Sequence, residues 1–359
     1  MDSKWIKFLG ITLIVILAGL FVFSSLQKDE PPAAVEIPTT QPSATPLPPE
    51  TVDIFSGLIF KNDEGLFQVN NSGTAEKIAE CSADVLNTDG KSMFYHQDGD
   101  IWQLDLETCE AENITNTLAS WEVNPQVWAE QTDILFYGVD PEMSAGAPAL
   151  FNLSNDLQVF LDGPEGWTNS GVAPSPDGNQ IALHSNSGPA IYDLNKNQLA
   201  VIDLSSFDLN EKDFGRIEAP SWSPDGNKLA WVVGYQGQIG HLILDFESQN
   251  AEILHLYIPV GRGGWPRPAI WSPDGNWLIA DVWADGFNQE GLYILASDGS
   301  KEYFAGSQYG IVVWSPDSQL IIYSSSGDSQ ETHYFSVSDG SSTLLPLPSD
   351  GRPVAWLSP

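Results

Sequence analysis

One short motif, recurring at near-constant spacing, limits what this chain can fold into more than any other feature. Trp222-Ser223-Pro224-Asp225-Gly226 returns as Trp271-Ser272-Pro273-Asp274-Gly275 and as Trp314-Ser315-Pro316-Asp317-Ser318. A fourth copy, Pro174-Ser175-Pro176-Asp177-Gly178, replaces the tryptophan. The serines at 175, 223, 272 and 315 are 48, 49 and 43 residues apart, the length of one four-stranded propeller blade.

The motif has a local physical reading. Proline pre-sets φ, aspartate accepts from the backbone two residues on, and glycine takes the φ > 0 position. Ser-Pro-Asp-Gly therefore reads as a hairpin turn between a first and a second strand, and its aspartate as a turn residue rather than a catalytic acid. The strand that follows, Leu229 to Val233, is apolar on both faces, as a sheet stacked between two other sheets requires.

Degenerate copies extend the pattern. Leu86-Asn87-Thr88-Asp89-Gly90 precedes one apolar strand, and Trp128 to Thr132 precedes another without the Pro-Asp-Gly turn. Second strands are expected near Leu58, Ser92, Ile134, Ile181, Leu229, Trp277 and Leu320, each followed by a third strand such as Gly291 to Ser297. The count predicts an all-β, seven-bladed β-propeller, with six blades as the alternative. The segment around Trp356 is expected to supply the first strand of the first blade beside Leu58–Phe60, closing the ring and removing open sheet edges.

The Trp-Ser-Pro-Asp-Gly units, followed by an apolar strand and then a strand such as Leu292-Tyr293-Ile294-Leu295, resemble the WD-like repeats of the TolB propeller family over about residues 53–359. The resemblance implies the fold; propellers host many unrelated activities, so it implies little about function. TolB-like propellers include polysaccharide lyases with histidines around a central metal, and others stand beside prolyl-oligopeptidase-type hydrolases.

Lys4 and Lys7 precede an apolar run from Phe8 to Phe23. Its length and flanking charges predict a signal-anchor transmembrane helix within 1–28, with the N-terminus cytoplasmic and the remainder outside, periplasmic or extracellular. Residues 29–52 are rich in proline and threonine and read as an extended spacer before the propeller at 53–359. Cys81 and Cys109 flank one repeat, and in an oxidising compartment a disulfide between them would staple a single blade.

The formal net charge of −34, from 48 acids against 14 lysines and arginines, argues against nucleic acid and anionic membrane surfaces as partners. No Gly-x-Ser-x-Gly elbow is present, and no two of the five histidines have a metal-motif spacing. His184, His241 and His333 remain the residues a lyase-type metal site would draw on. No catalytic residues, metal or cofactor are assigned from the sequence.

The arginines carry a sharper signal. Arg216, Arg262, Arg267 and Arg352 are the only four, and each falls between the last strand of one repeat and the first of the next. Trp121, Trp167, Trp265 and Tyr309 fall in the same class of connection. Propeller geometry puts these connections on one face. That face is expected either to bind a partner through stacking and guanidinium forks, or to use its arginines to tie down long loops. The resulting expectation is a non-enzymatic, membrane-anchored scaffold that recognises an envelope protein, peptide or glycan. A lyase-type or peptidase-related enzyme with a site in the central channel is the alternative.

Overall fold

The computed structural model describes residues 54–357 apart from 84, 87–89, 117–122, 128–132, 141–144, 153–156, 161–166, 186, 259–266, 283–290, 307–310, 325–330 and 346–350. Between 123 and 170 it gives the course of the strands alone. The described residues belong to one compact unit, Ala44–Pro359. The expected anchor and spacer lie outside them. No helix among the described residues is long and apolar enough to cross a membrane.

The chain is an all-β propeller. Its described strands fall into seven four-stranded antiparallel sheets, and six of these are built from consecutive strands. The remaining sheet takes its first strand, Arg352–Trp356, from the other end of the domain. There Leu58 stands opposite Trp356, Ile59 opposite Ala355 and Phe60 opposite Pro353, which is the closing pairing expected from the sequence. The second strands observed, among them Leu58–Asn62, Ser92–Gln97, Gln180–Ser185 and Lys228–Tyr235, coincide with those expected.

Strands that are apolar on both faces are buried on both faces. Leu229 to Val233 are all at most 1% exposed. Their alternation decides the neighbour each one meets. Ala230 and Val232 pack with Leu278 and Ala280 of the following sheet. Leu229, Trp231 and Val233 pack with Ala173 and Ala182 of the preceding one. Each large side chain buried this way contributes about 1.5–3 kcal/mol, so the stack of sheets is the main source of cohesion.

The Ser-Pro-Asp-Gly turns share one hydrogen-bond pattern. Ser175 Oγ donates to Asp177 Oδ1 at 2.5 Å and accepts from the Gln180 N–H at 2.9 Å. Asp177 Oδ1 also accepts from the Asn179 N–H at 3.1 Å. The same set recurs at Ser223, Ser272 and Ser315. Gly178, Gly226 and Gly275 have φ between 69° and 72°, and Ser318 occupies this left-handed position at 62° in the last copy. Ser318 is offset by a bond of its own: its Oγ accepts from the Asp274 N–H, 3.0 Å away in the neighbouring turn.

Cys81 and Cys109 form a disulfide with a Cα separation of 5.7 Å. It ties the segment entering the sheet of strands Val85–Leu86 to Ala111–Asn113 to the turn before that sheet's last strand.

Candidate functional site

In a four-stranded antiparallel sheet of this order, the turns between strands one and two and between strands three and four share one end. The turn between strands two and three and the crossing to the next sheet share the other. The Ser-Pro-Asp-Gly turns thus define a turn end, and the long crossings define a connection end.

Of the expected site residues, Arg216, Arg267 and Arg352 are described, and the structure places all three at the connection end. Arg216 lies near the start of the first strand Phe214–Trp222, Arg352 opens the strand Arg352–Trp356, and Arg267 precedes Ile270–Trp271. Trp167 begins the first strand Trp167–Pro174, opposite Ser185. Trp121, Arg262, Trp265 and Tyr309 lie outside the described residues.

Arg216 and Arg267 meet local carboxylates. Arg216 Nε is paired with Glu218, two residues along the same strand, and Glu218 is 8% exposed. Arg267 Nε approaches Asp281 Oδ2 at 3.5 Å, while its own side chain is 77% exposed. A single long contact by so exposed a group contributes little to stability. The loop-fixing reading therefore describes Arg216 better than Arg267.

The described first strands, which line the channel of a propeller, carry three charged residues: Arg216, Glu218 and Arg352. Their charge is concentrated in the halves nearest the connection end. The neighbouring chemistry is there too. His184 lies near the end of a second strand, and His333 near the start of a third.

The crossing between Gln198–Val201 and Phe214–Trp222 contains two short 3-10 turns, Leu204–Phe207 and Glu211–Asp213. Asp203 Oδ1 accepts from the Ser205 N–H at 3.0 Å and Asn210 Oδ1 from the Lys212 N–H at 3.2 Å, so each turn is fixed at its start. Leu204 and Phe207 are buried in the core. This shaped crossing walls a cleft of about 330 Å³ whose lining includes His184, Leu204, Glu211, Phe214 and Arg216. Burial, and then the charge of Arg216, lowers the pKa of His184. The imidazole is therefore neutral at pH 7, with one donor and one acceptor nitrogen.

A second polar group lies between neighbouring sheets, with His241 and Tyr257 buried and Glu302 exposed. His255 Nδ1 is 2.9 Å from Glu302 Oε1, and the His255 ring centre is 3.9 Å from that of Tyr293. His241 is 1% exposed, and neither ring nitrogen has a hydrogen-bond partner among the described residues. Burial, and to a lesser extent His255, lowers its pKa to about 4. Burial and then Asp281 raise the pKa of Tyr257. The structure does not bring His184, His241 and His333 together: they stand on three different sheets. Among the described residues, no three His, Cys, Asp or Glu side chains are grouped to hold a metal.

Sequence reasoning found the arginines but missed Glu211, Phe214 and Glu218. The one signal available was the unusual length of the crossing that carries them.

Comparison with known proteins yields folds rather than close relatives. No family model and no curated protein matches the sequence. Among solved structures, an oligogalacturonate lyase in complex with manganese aligns with a TM-score of 0.56 at 13% identity, covering 79% of this chain and 83% of the other. An oligogalacturonate lyase from Vibrio parahaemolyticus gives 0.54 at 13% identity, covering 76% and 86%. TolB from Acinetobacter baumannii gives 0.47 at 18% identity, covering 84% and 67%. At these identities the likeness shows the fold alone, a β-propeller with TolB structures among its neighbours.

Proposed function

We propose that this protein is a non-enzymatic binding module, anchored in the cytoplasmic membrane, displayed outside it on a proline-rich spacer, and recognising a protein, peptide or glycan at its connection end. The observation that carries this reading is the gathering of Arg216, Arg267 and Arg352 at one end of a chain with a net charge of −34. Arg267 stands 77% exposed among them. An exposed guanidinium offers a planar fork of donors to carboxylates and stacks on aromatic rings. The Cys81–Cys109 disulfide supports placement in an oxidising compartment. In this reading each of the seven sheets is one blade of a single ring; an experimental structure with six blades would replace it.

The test is capture of cross-linked envelope proteins and glycans with the full-length protein and with a Trp265→Ala, Arg267→Ala variant. Loss of a specific partner by the variant supports the proposal. Capture of the same partner by both proteins, at equal stability, removes the connection end as the site. The two lyase likenesses make one alternative concrete, a metal-dependent lyase. Stoichiometric manganese retained by the purified protein, together with cleavage of an acidic polysaccharide, would favour it.

A further inference from the structure

We propose that a cleft at the turn end, where the sheet closed by Arg352–Trp356 meets the sheet of strands Val312–Trp314 to Ser341–Leu345, binds a small primary amine: a single ammonium on an apolar stem. The site lies at the end opposite the arginines and does not rest on the partner-binding reading.

The last of the four Ser-Pro-Asp turns departs from the other three in two ways. The first is the seal on its carboxylate. Asn179 Nδ2 donates to Asp177 Oδ2 at 3.0 Å, Asn227 Nδ2 to Asp225 Oδ2 at 3.1 Å and Asn276 Nδ2 to Asp274 Oδ2 at 3.0 Å. The fourth turn has Gln319 in that place, and its Nε2 donates instead to the main-chain oxygen of Asp317 at 3.4 Å. Asp317 Oδ1 accepts from Ser315 Oγ at 2.6 Å and from the Gln319 N–H at 3.1 Å, whereas Oδ2 has no donor among the described residues.

The second is cover. Each of the first three turns has the next one packed against it. A Cβ on Gly226 would stand 3.8 Å from Pro176 Cδ and one on Gly275 3.9 Å from Pro224 Cδ, while Ser318 Oγ accepts from the Asp274 N–H at 3.0 Å. Trp356 is followed by Leu357 rather than by the serine of a further turn. Pro316 and Asp317 line a cleft of about 410 Å³ there, together with Ile54, Leu320 and Trp356.

These two departures select the ligand. The volume falls within the range of about 300–1,000 Å³ usual for small-molecule sites. Asp317 is the only charged residue among the described ones that line the cleft, so it calls for one positive charge, and the −34 of the chain repels anions. With Oδ1 already taken by two donors, the carboxylate offers one oxygen. That suits the single N–H of an ammonium and not the two-pronged fork of a guanidinium. An exposed carboxylate alone holds a cation weakly, so the stem must supply the rest. Ile54 is 47% exposed, and an apolar stem laid against it, Pro316 and Leu320 removes apolar surface from water. The indole in the same wall also attracts a cation.

Calorimetric titration of the full-length protein with phenethylamine, phenethyl alcohol, ammonium chloride and a lysine-centred tripeptide blocked at both ends tests this. The amine is expected to bind at millimolar concentration. The alcohol lacks the charge and ammonium lacks the stem, and each should bind about tenfold more weakly or worse. Gln319→Asn recreates the seal of the other turns; it should weaken the amine about tenfold and leave the melting temperature unchanged or higher. Asp317→Asn keeps an oxygen for the turn and removes the charge, so it should weaken the amine by a similar factor and leave the alcohol unaffected. No binding of the amine at millimolar concentration, equal binding of amine and alcohol, or amine binding unchanged in either folded variant overturns the proposal. Binding of the tripeptide without the free amine would make the cleft a partner's docking site and overturns it as well. None of these outcomes bears on partner capture through Arg267 at the connection end.

Discussion

The indole Nε1 of Trp271 donates to the carbonyl oxygen of Ser221 at 3.0 Å, a bond that crosses from one sheet to the one before it. The same link runs from Trp222 to Ala173 at 3.1 Å and from Trp314 to Ile270 at 3.2 Å. In each case the acceptor immediately precedes the position equivalent to the donor's own. The repeated tryptophan thus does two jobs: its ring fills the space between sheets, and its N–H satisfies a carbonyl of the neighbouring first strand. Trp356 departs from the series and donates to the carbonyl of Ser56 at 2.8 Å, in the turn just before the strand Leu58–Asn62 with which it pairs.

Replacing Trp271 by Phe keeps most of the apolar ring and removes the N–H. The Ser221 carbonyl, which also faces Ala230 in the ladder, then loses the indole donor, at a cost of about 0.5–1.5 kcal/mol. Urea denaturation followed by circular dichroism should show a lower midpoint with an unchanged slope. An unchanged midpoint would mean that the bond contributes nothing measurable.

The motif serine is expected to matter as much as its aspartate. Ser272 is fully buried, donates to Asp274 at 2.6 Å and accepts from the Trp277 N–H at 3.0 Å. Ser272→Ala leaves that N–H without its acceptor and should destabilise by about 1–3 kcal/mol. Ser318→Gly sets two effects against each other. It relieves a residue at φ 62° but removes the acceptor of the Asp274 N–H. Because Ser318 is 1% exposed, the lost acceptor should outweigh the relief, and thermal melting should show a net destabilisation.

Two groups of side chains set the acid dependence of stability. The pKa of Asp177 is lowered by its bonds from Ser175 and Asn179. For Asp274 burial is the largest influence and raises the pKa, but bonds from Ser272 and Asn276 outweigh it. A depressed folded value means that stability is fully present above the unfolded carboxylate pKa, about 3.9, and is lost as pH falls through the lower folded values. His241 acts at higher pH. Its folded pKa is about 4 against an ordinary 6.5, so the unfolded state binds more protons between those values, and stability falls as pH drops through that window. The full loss amounts to about 3 kcal/mol. His241→Leu should flatten the decline between pH 6.5 and 4 and leave the steeper loss below pH 4. A decline of equal size in the variant would show that His241 does not drive it.

Reduction of Cys81–Cys109 opens a 28-residue separation. Chain-entropy arguments put the loss at about 3–4 kcal/mol. Cys81→Ser, Cys109→Ser should lower the urea midpoint and abolish its sensitivity to dithiothreitol. A midpoint equal to that of the oxidised protein would mean that the bridge is not a staple.

What could be read from the sequence was whatever is local or periodic. Ser223-Pro224-Asp225-Gly226 specifies its own turn, and the apolar run Leu229 to Val233 announces burial on both faces. The pairing of Trp356 with Leu58 was legible because the count left a first strand over after the last repeat and lacked one before Leu58. Contacts between sheets were not legible. The bond from Trp271 to Ser221 spans 50 residues, and no periodicity names its acceptor. The cleft was hidden for the same reason: His184 and Arg216 stand on adjacent sheets, and the crossing that brings Glu211 and Phe214 beside them has no repeat to compare it with.

The most direct test of the central claim measures partner capture by proteins altered at opposite ends of the sheets. Arg267→Ala, made together with Trp265→Ala, changes the connection end, and Lys196→Ala with Lys301→Ala changes the turn end. The account predicts that the first pair abolishes capture of a specific envelope partner and that the second leaves it intact. Capture lost through the turn end and retained through the connection end would contradict it.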